Sequence, residues 1–134
     1  MEILHADIGK LAKRNRSFRK VFSTTDHAQV LVMSLQPGED VGEQIHFSDQ
    51  LLMVIKGDGQ VVIEGMSSDL GPGDLVHVPG GTRHDIRAAN DTKLKLVMVY
   101  SPPLYLHNTE QLTKLDAMIA AAEDAAAAMV PSAV

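Results

Sequence analysis

No cysteine occurs anywhere in the 134 residues. A disulfide framework and a thiolate metal site are therefore both excluded, and any metal would have to be held by imidazole, amide or carboxylate groups. Aromatic residues make up only 4 % of the chain, so aliphatic side chains and methionines such as Met33, Met53, Met66 and Met98 are expected to fill the interior. Positive charge is in deficit: the formal net charge is −5, which argues against nucleic acid or an anionic membrane as the main partner. No apolar run approaches the roughly 18 residues that would span a bilayer. The N-terminus lacks a basic start followed by an apolar stretch, so no signal peptide is expected and the cytoplasm is the default compartment. The one basic concentration is KLAKRNRSFRK at residues 10–20. It reads as a solvated segment, with a patch for phosphate or an acidic partner as the alternative.

What is present is a succession of short β-type segments punctuated by glycine and proline. Residues 1–17 are mixed and polar and read as a loosely held arm with at most a turn of helix. Strands are expected at 18–23, 29–35, 50–56, 60–64, 75–78, 83–88 and 93–100. Turns are expected at 57–59 (GDG), 65–68, 71–74 (GPGD) and 79–81 (PGG). Asp and Gly tolerate the positive φ of tight hairpins, and Pro cannot donate to a ladder. Residues 29–35 (QVLVMSL) are apolar on both alternations and should be buried on both sides. No helical segment separates the strands, so the pattern is that of an all-β sandwich or barrel rather than βαβ. Beyond Pro102 and Pro103 the character changes. Asn108 with Gln111 fits a capping box, and Leu112, Leu115, Ile119, Ala122, Ala126 and Met129 then recur at helical spacing in an alanine-rich tail that Pro131 ends. That stripe is expected to pack on the barrel or on a partner subunit. The organisation is thus an arm (1–17), a β-barrel (18–106) and a C-terminal helix and tail (107–134).

Two stretches carry the chemistry. In PGEDVGEQIHFSDQLLMVIKGDG (37–59), alternation puts Gln44 and His46 on one side. A bend at 47–49 can return Gln50 to that side, ahead of Leu52 and Val54. In GPGDLVHVPGGTRH (71–84) and the strand that follows, Arg83, Asp85 and Arg87 take one face, leaving His84 with Ile86 on the other. An imidazole on the core side needs a polar group, a water or a metal. Asp49 is a second source of charge if the bend turns it inward, but an Asp bonding its own turn is the plainer reading. Glu39, Asp40 and Glu43 read as solvated residues near the mouth. His77 and His107 are further pocket candidates, one on the short strand at 75–78 and one ahead of the helix. His5 and His27 read as surface residues, and Tyr100 and Tyr105 as packing residues with hydroxyls at an edge.

These two stretches resemble the two motifs of the cupin family. The second motif (Gly, five residues, Pro-x-Gly, two residues, His, three residues, Asn) is matched by Gly73, Pro79, Gly81 and His84, with Ala88 in place of Asn. In the first, His46 stands at the second His and Gly57 at the closing Gly, but Gln44 and Gln50 replace the first His and the Glu. The resemblance spans residues 28 to 100. It implies a small antiparallel double-stranded β-barrel, commonly a homodimer, with a divalent metal held inside. By position, the metal set would be Gln44, His46, Gln50 and His84, with Leu52, Val54, His77, Ile86 and His107 lining the pocket. Because Gln offers only a neutral carbonyl oxygen, this set brings no ligand charge. Zinc, iron, nickel or manganese remain open as the ion. Two functions follow as expectations. One is a metal-dependent enzyme of isomerase, lyase or dioxygenase type acting on a small polar substrate. The other is a metal-free module that binds or senses a small molecule.

Overall fold

The turns lie where chain reversal needs them, and the strands between pair antiparallel throughout. A computed structural model of the chain describes residues 3–129. Helix α1 (Ile8–Arg14) is followed by β1 (Arg19–Thr24), β2 (Gln29–Leu35), β3 (Asp49–Lys56), β4 (Gly59–Ile63), β5 (Met66–Leu70), β6 (Leu75–Val78), β7 (His84–Ala88), β8 (Leu94–Ser101), β9 (Glu110–Gln111) and helix α2 (Lys114–Met129). A six-stranded sheet runs β6-β3-β8-β2-β1-β9, and a three-stranded sheet runs β5-β4-β7. Together they make the double-stranded β-barrel with a C-terminal helix. Among the described residues no helix is long and apolar enough to cross a membrane.

The two sheets face each other across one core. On β2, Leu31, Met33 and Leu35 point inward, and on β8 Leu94, Leu96, Met98 and Tyr100 do the same. The small sheet answers with Val61, Leu70, Ile86 and Ala88. The other alternation of β2 is also covered: Val32 and Val97 pack beneath Ala12 of α1. Residues 29–35 are therefore buried on both sides, as their composition requires. The N-terminal segment is more ordered than its polarity suggests. Asp7 caps α1 by accepting from the Lys10 amide, and Lys95, reaching out from β8, donates to the Asn15 carbonyl just past the helix and to Ser34 Oγ.

Four local expectations are corrected. Residues 66–68, expected within the turn at 65–68, belong to strand β5, because β4 offers it a complete antiparallel ladder from Gly59↔Leu70 to Ile63↔Met66. The cap of α2 is not Asn108 with Gln111; Thr113 and Asp116 bond reciprocally, each side chain accepting from the other's amide. Gln111 is instead spent in β9, paired with Arg19. The apolar stripe of α2 is turned away from the barrel: Leu112, Leu115 and Ile119 are exposed, and it is Ala117 that packs on the core. Pro131 lies outside the described residues. Met53 and Met66 are exposed rather than core residues.

Candidate functional site

The first motif reaches the second through a short stretch of backbone pairing. Residues 40–44 run antiparallel to β7: Val41 donates to the Ile86 carbonyl, and Gln44 and His84 exchange both backbone hydrogen bonds at 2.9 and 3.0 Å. This adds a fourth, irregular strand to the small sheet. The bend at 46–49 is then pinned on the Pro79-Gly80-Gly81 turn. The Gly81 amide donates to the His46 carbonyl, the Gly80 amide donates to Asp49 Oδ1, and Ser48 Oγ donates to the Pro102 carbonyl. Gly80 is required there because a Cβ would overlap the Phe47 carbonyl oxygen. At the other end of β3, Gly57 (φ 91°) turns the chain where a side chain would meet the Lys93 carbonyl.

The result is a polar cluster inside the barrel. The His46 and His84 ring centres lie 5.2 Å apart, inclined at 63°. His46 also stands edge-on to Tyr100 at 5.7 Å. Gln50, 1 % exposed, enters from β3 directly opposite Tyr100 of β8 in the ladder. Its amide finds only the Met98 sulfur, at 3.9 Å, and Oε1 is buried with no partner. His46 Nε2 is likewise buried and unpartnered. His84 Nδ1 lies 2.9 Å from the Thr82 carbonyl oxygen. That contact needs the proton on Nδ1, which leaves the Nε2 lone pair free. Burial, and then the neighbouring His84 and Arg19, lower the His46 pKa from its ordinary 6.5 to about 4, so it is a neutral base at physiological pH. Burial, and then Tyr105, raise the pKa of Tyr100, whose hydroxyl is closed off against Met98 Sδ.

Gln44 is half-buried. It lines a cleft of about 170 Å³ between the barrel mouth and α2, with Arg19, Tyr105 and Lys114. Leu52, Val54 and Ile86 are at most 1 % exposed and belong to the packed core. Two expected pocket residues are not in the interior. His77 is exposed on β6, 3.7 Å from Asp49 on the outer face, because its neighbour Val78 takes the inward alternation. His107 is exposed and borders a surface groove with Phe22 and Leu4. Asp49 is spent on Gly80 and His77 and faces away from the cluster.

Three residues that matter escape a reading by residue type. Arg19, in the basic run, is 4 % exposed. It alternates with Val21 on the inward side of β1, which is the signal that identifies it. Gln29 is fully buried; its amide accepts from the Leu104 and Tyr105 amides and donates to the Tyr105 carbonyl, so it seats the loop under α2. Asp40 is not free at the mouth: it bonds both Lys114 of α2 and Arg87 of β7. The hydrogen bond from Lys114, followed by the charges of Lys114 and Arg87, outweighs burial and holds its carboxyl below the ordinary 3.8.

Comparison with known proteins agrees with this architecture. Residues 31–100 match the family model described as Cupin domain. The chain is 38 % identical over 126 residues to the uncharacterized protein YrkC of Bacillus subtilis, covering 88 % of this chain and 66 % of that protein. It is 36 % identical over 95 residues to the uncharacterized protein L612 of Acanthamoeba polyphaga mimivirus, covering 66 % of this chain and 59 % of that one. The chain thus spans less than two thirds of the length of either. The crystal structure of BH2720 from Bacillus halodurans superposes with a TM-score of 0.86 at 36 % identity, covering 88 % of this chain and 95 % of that one.

Proposed function

The chain belongs to the cupin domain family, and we propose that its barrel interior binds a divalent metal ion together with a small polar ligand. The observation that carries this reading is the pair of buried, unpartnered atoms His46 Nε2 and Gln50 Oε1, beside a His84 whose own Nε2 is left free. Buried polar atoms are almost always satisfied, so atoms that are not mark a place where something else binds. Nothing but neutral donors is offered: among the described residues no group of three or more His, Cys, Asp or Glu side chains could hold a metal. Two imidazoles with an amide oxygen suit zinc, nickel or iron better than manganese, and hold any of them less tightly than a set with a carboxylate. A metal held there would act as a Lewis acid toward a ligand oxygen. The chain's own part is to keep His46 neutral by burial, to fix the His84 tautomer through Thr82, and to wall the ligand with Tyr100. Whether a bound ligand is transformed or only held is the difference between the enzyme and the sensing module.

Elemental analysis of the purified protein, and of His46→Ala and His84→Ala, tests the proposal. A bound metal lost in both variants is expected. Wild-type protein that stays metal-free after dialysis against zinc, nickel and iron(II) refutes the metal site.

A further inference from the structure

Arg19 is a buried cation without a counter-charge. At 4 % exposure it has left water almost entirely, yet among the described residues no carboxylate lies within ion-pairing distance of it. Its one side-chain hydrogen bond runs from a terminal nitrogen to the neutral Gln111 Oε1, at 2.6 Å. Its Nε is buried with no partner. The guanidinium lies over the Tyr105 ring at 4.3 Å and near the Phe18 ring at 5.2 Å. These contacts hold its plane but supply no negative charge. Burying a charge is costly unless it is paired and hydrogen-bonded. The nearby cation Lys114 already bonds a carboxylate, that of Asp40, which it shares with Arg87.

The same guanidinium lines the cleft beneath α2. From there an unbroken aromatic wall leads inward. Tyr105 meets Tyr100 at 5.8 Å, and Tyr100 meets His46 at 5.7 Å. These edge-to-face rings link the cleft under α2 to the imidazoles. On these grounds we infer that Arg19 is the anchor for the carboxylate of a small organic monoacid, held with its remainder toward His46 and His84. This rests on the reading of the barrel interior as a ligand site and names the class of ligand.

The chemistry selects the class. A guanidinium edge offers a planar fork of donors that matches a carboxylate in two parallel hydrogen bonds. A single unpaired positive charge balances a monoanion. A phosphate dianion carries a second negative charge, and Asp124, which also lines the cleft, repels it more than it repels a monoanion. The cleft, about 170 Å³, is smaller than the roughly 300 Å³ at which pockets for drug-sized ligands begin. A compact acid fits and a long one does not.

The test is a thermal-shift and calorimetric titration of the full chain with glycolate, pyruvate and benzoate, each against its amide, and with inorganic phosphate. Metal content is measured on the same preparations. At least one of the acids should raise Tm saturably, because a ligand that binds only the native state stabilises it. Its amide should bind at least tenfold more weakly. Arg19→Gln should lose the response and keep the wild-type metal content, and Arg19→Lys should recover it in part. Gln111→Glu supplies the missing charge from within. It should raise the Tm of the unliganded protein and abolish the response to acids, and it keeps the question decidable if Arg19→Gln does not fold. Acids and amides acting alike, phosphate binding more tightly than every acid, no response from any acid, or a Gln111→Glu protein that behaves as wild type would each overturn the assignment. Metal without an acid response defeats this inference and spares the metal site; an acid response in metal-free protein does the reverse.

Discussion

The imidazole of His46 meets that of His84 at 5.2 Å, although the two side chains reach that point on unlike supports. His84 begins a regular strand and is held by its ladder with β4. His46 lies on an irregular segment with no ladder of its own, placed by the Gln44–His84 backbone pair on one side and by the Gly81 amide on the other. One imidazole is therefore rigid by secondary structure, the other by its neighbours' bonds to a strand and to a turn. The second arrangement is the more easily disturbed.

Acid should expose that difference. The unfolded chain takes up a proton on His46 near 6.5, whereas the folded protein resists it down to about 4. Folding stability is then fully present above 6.5 and declines as pH falls toward 4, since the unfolded state binds the extra proton in that window. Urea unfolding of chelator-treated protein should show this decline. His46→Gln should remove it without touching the carboxylate-linked loss at lower pH.

Gln50→Glu should strengthen metal binding and weaken the metal-free fold. A charged oxygen in place of a neutral one should raise zinc or nickel affinity by about tenfold or more, the scale on which changes around a metal site act. Without metal, the new carboxyl would sit at a position that is 1 % exposed, at a cost of about 1–3 kcal/mol. Competition with a chromogenic chelator and thermal melts with and without metal measure the two effects.

Asp40→Asn should release α2 while leaving the barrel folded. Asp40 is the shared partner of Lys114 and Arg87, but both contacts are partly solvated, so the global loss should be no more than about 1 kcal/mol. The local effect should be larger, with faster amide exchange and proteolysis within Lys114–Met129. In the wild type the same release should appear as pH falls through the lowered Asp40 value, because the carboxylate form holds the helix.

Gln29→Leu should be among the most destabilising single changes at a polar residue. It would leave the Leu104 and Tyr105 amides and the Tyr105 carbonyl without their present partner. At about 1–3 kcal/mol for each buried group left unsatisfied, the loss should be about 3 kcal/mol or more, read by urea denaturation. Tyr105 would also lose its seat against Arg19, so the response to small acids should weaken with it.

Determined by the sequence alone were the strands and most of their turns, because hydrophobic alternation and the Gly and Pro positions are local properties of the chain. The inward set His84, Ile86 and Ala88 follows from alternation within one strand, and the double burial of residues 29–35 from their composition. Whatever depends on which surface lies opposite had to wait for the tertiary structure. His77 and Asp49 are consistent with an inward position until β6 and β3 pair in a register that turns both outward. The leucine stripe of α2 looks like the packing face until Asp40 draws Lys114, and with it Ala117, onto the barrel. Arg19 belongs to a solvated basic run until β1 joins the sheet and carries it beneath the helix. In each case charge or periodicity describes the residue truthfully, but burial is a relation between segments far apart in the chain, and only the folded arrangement supplies the second segment.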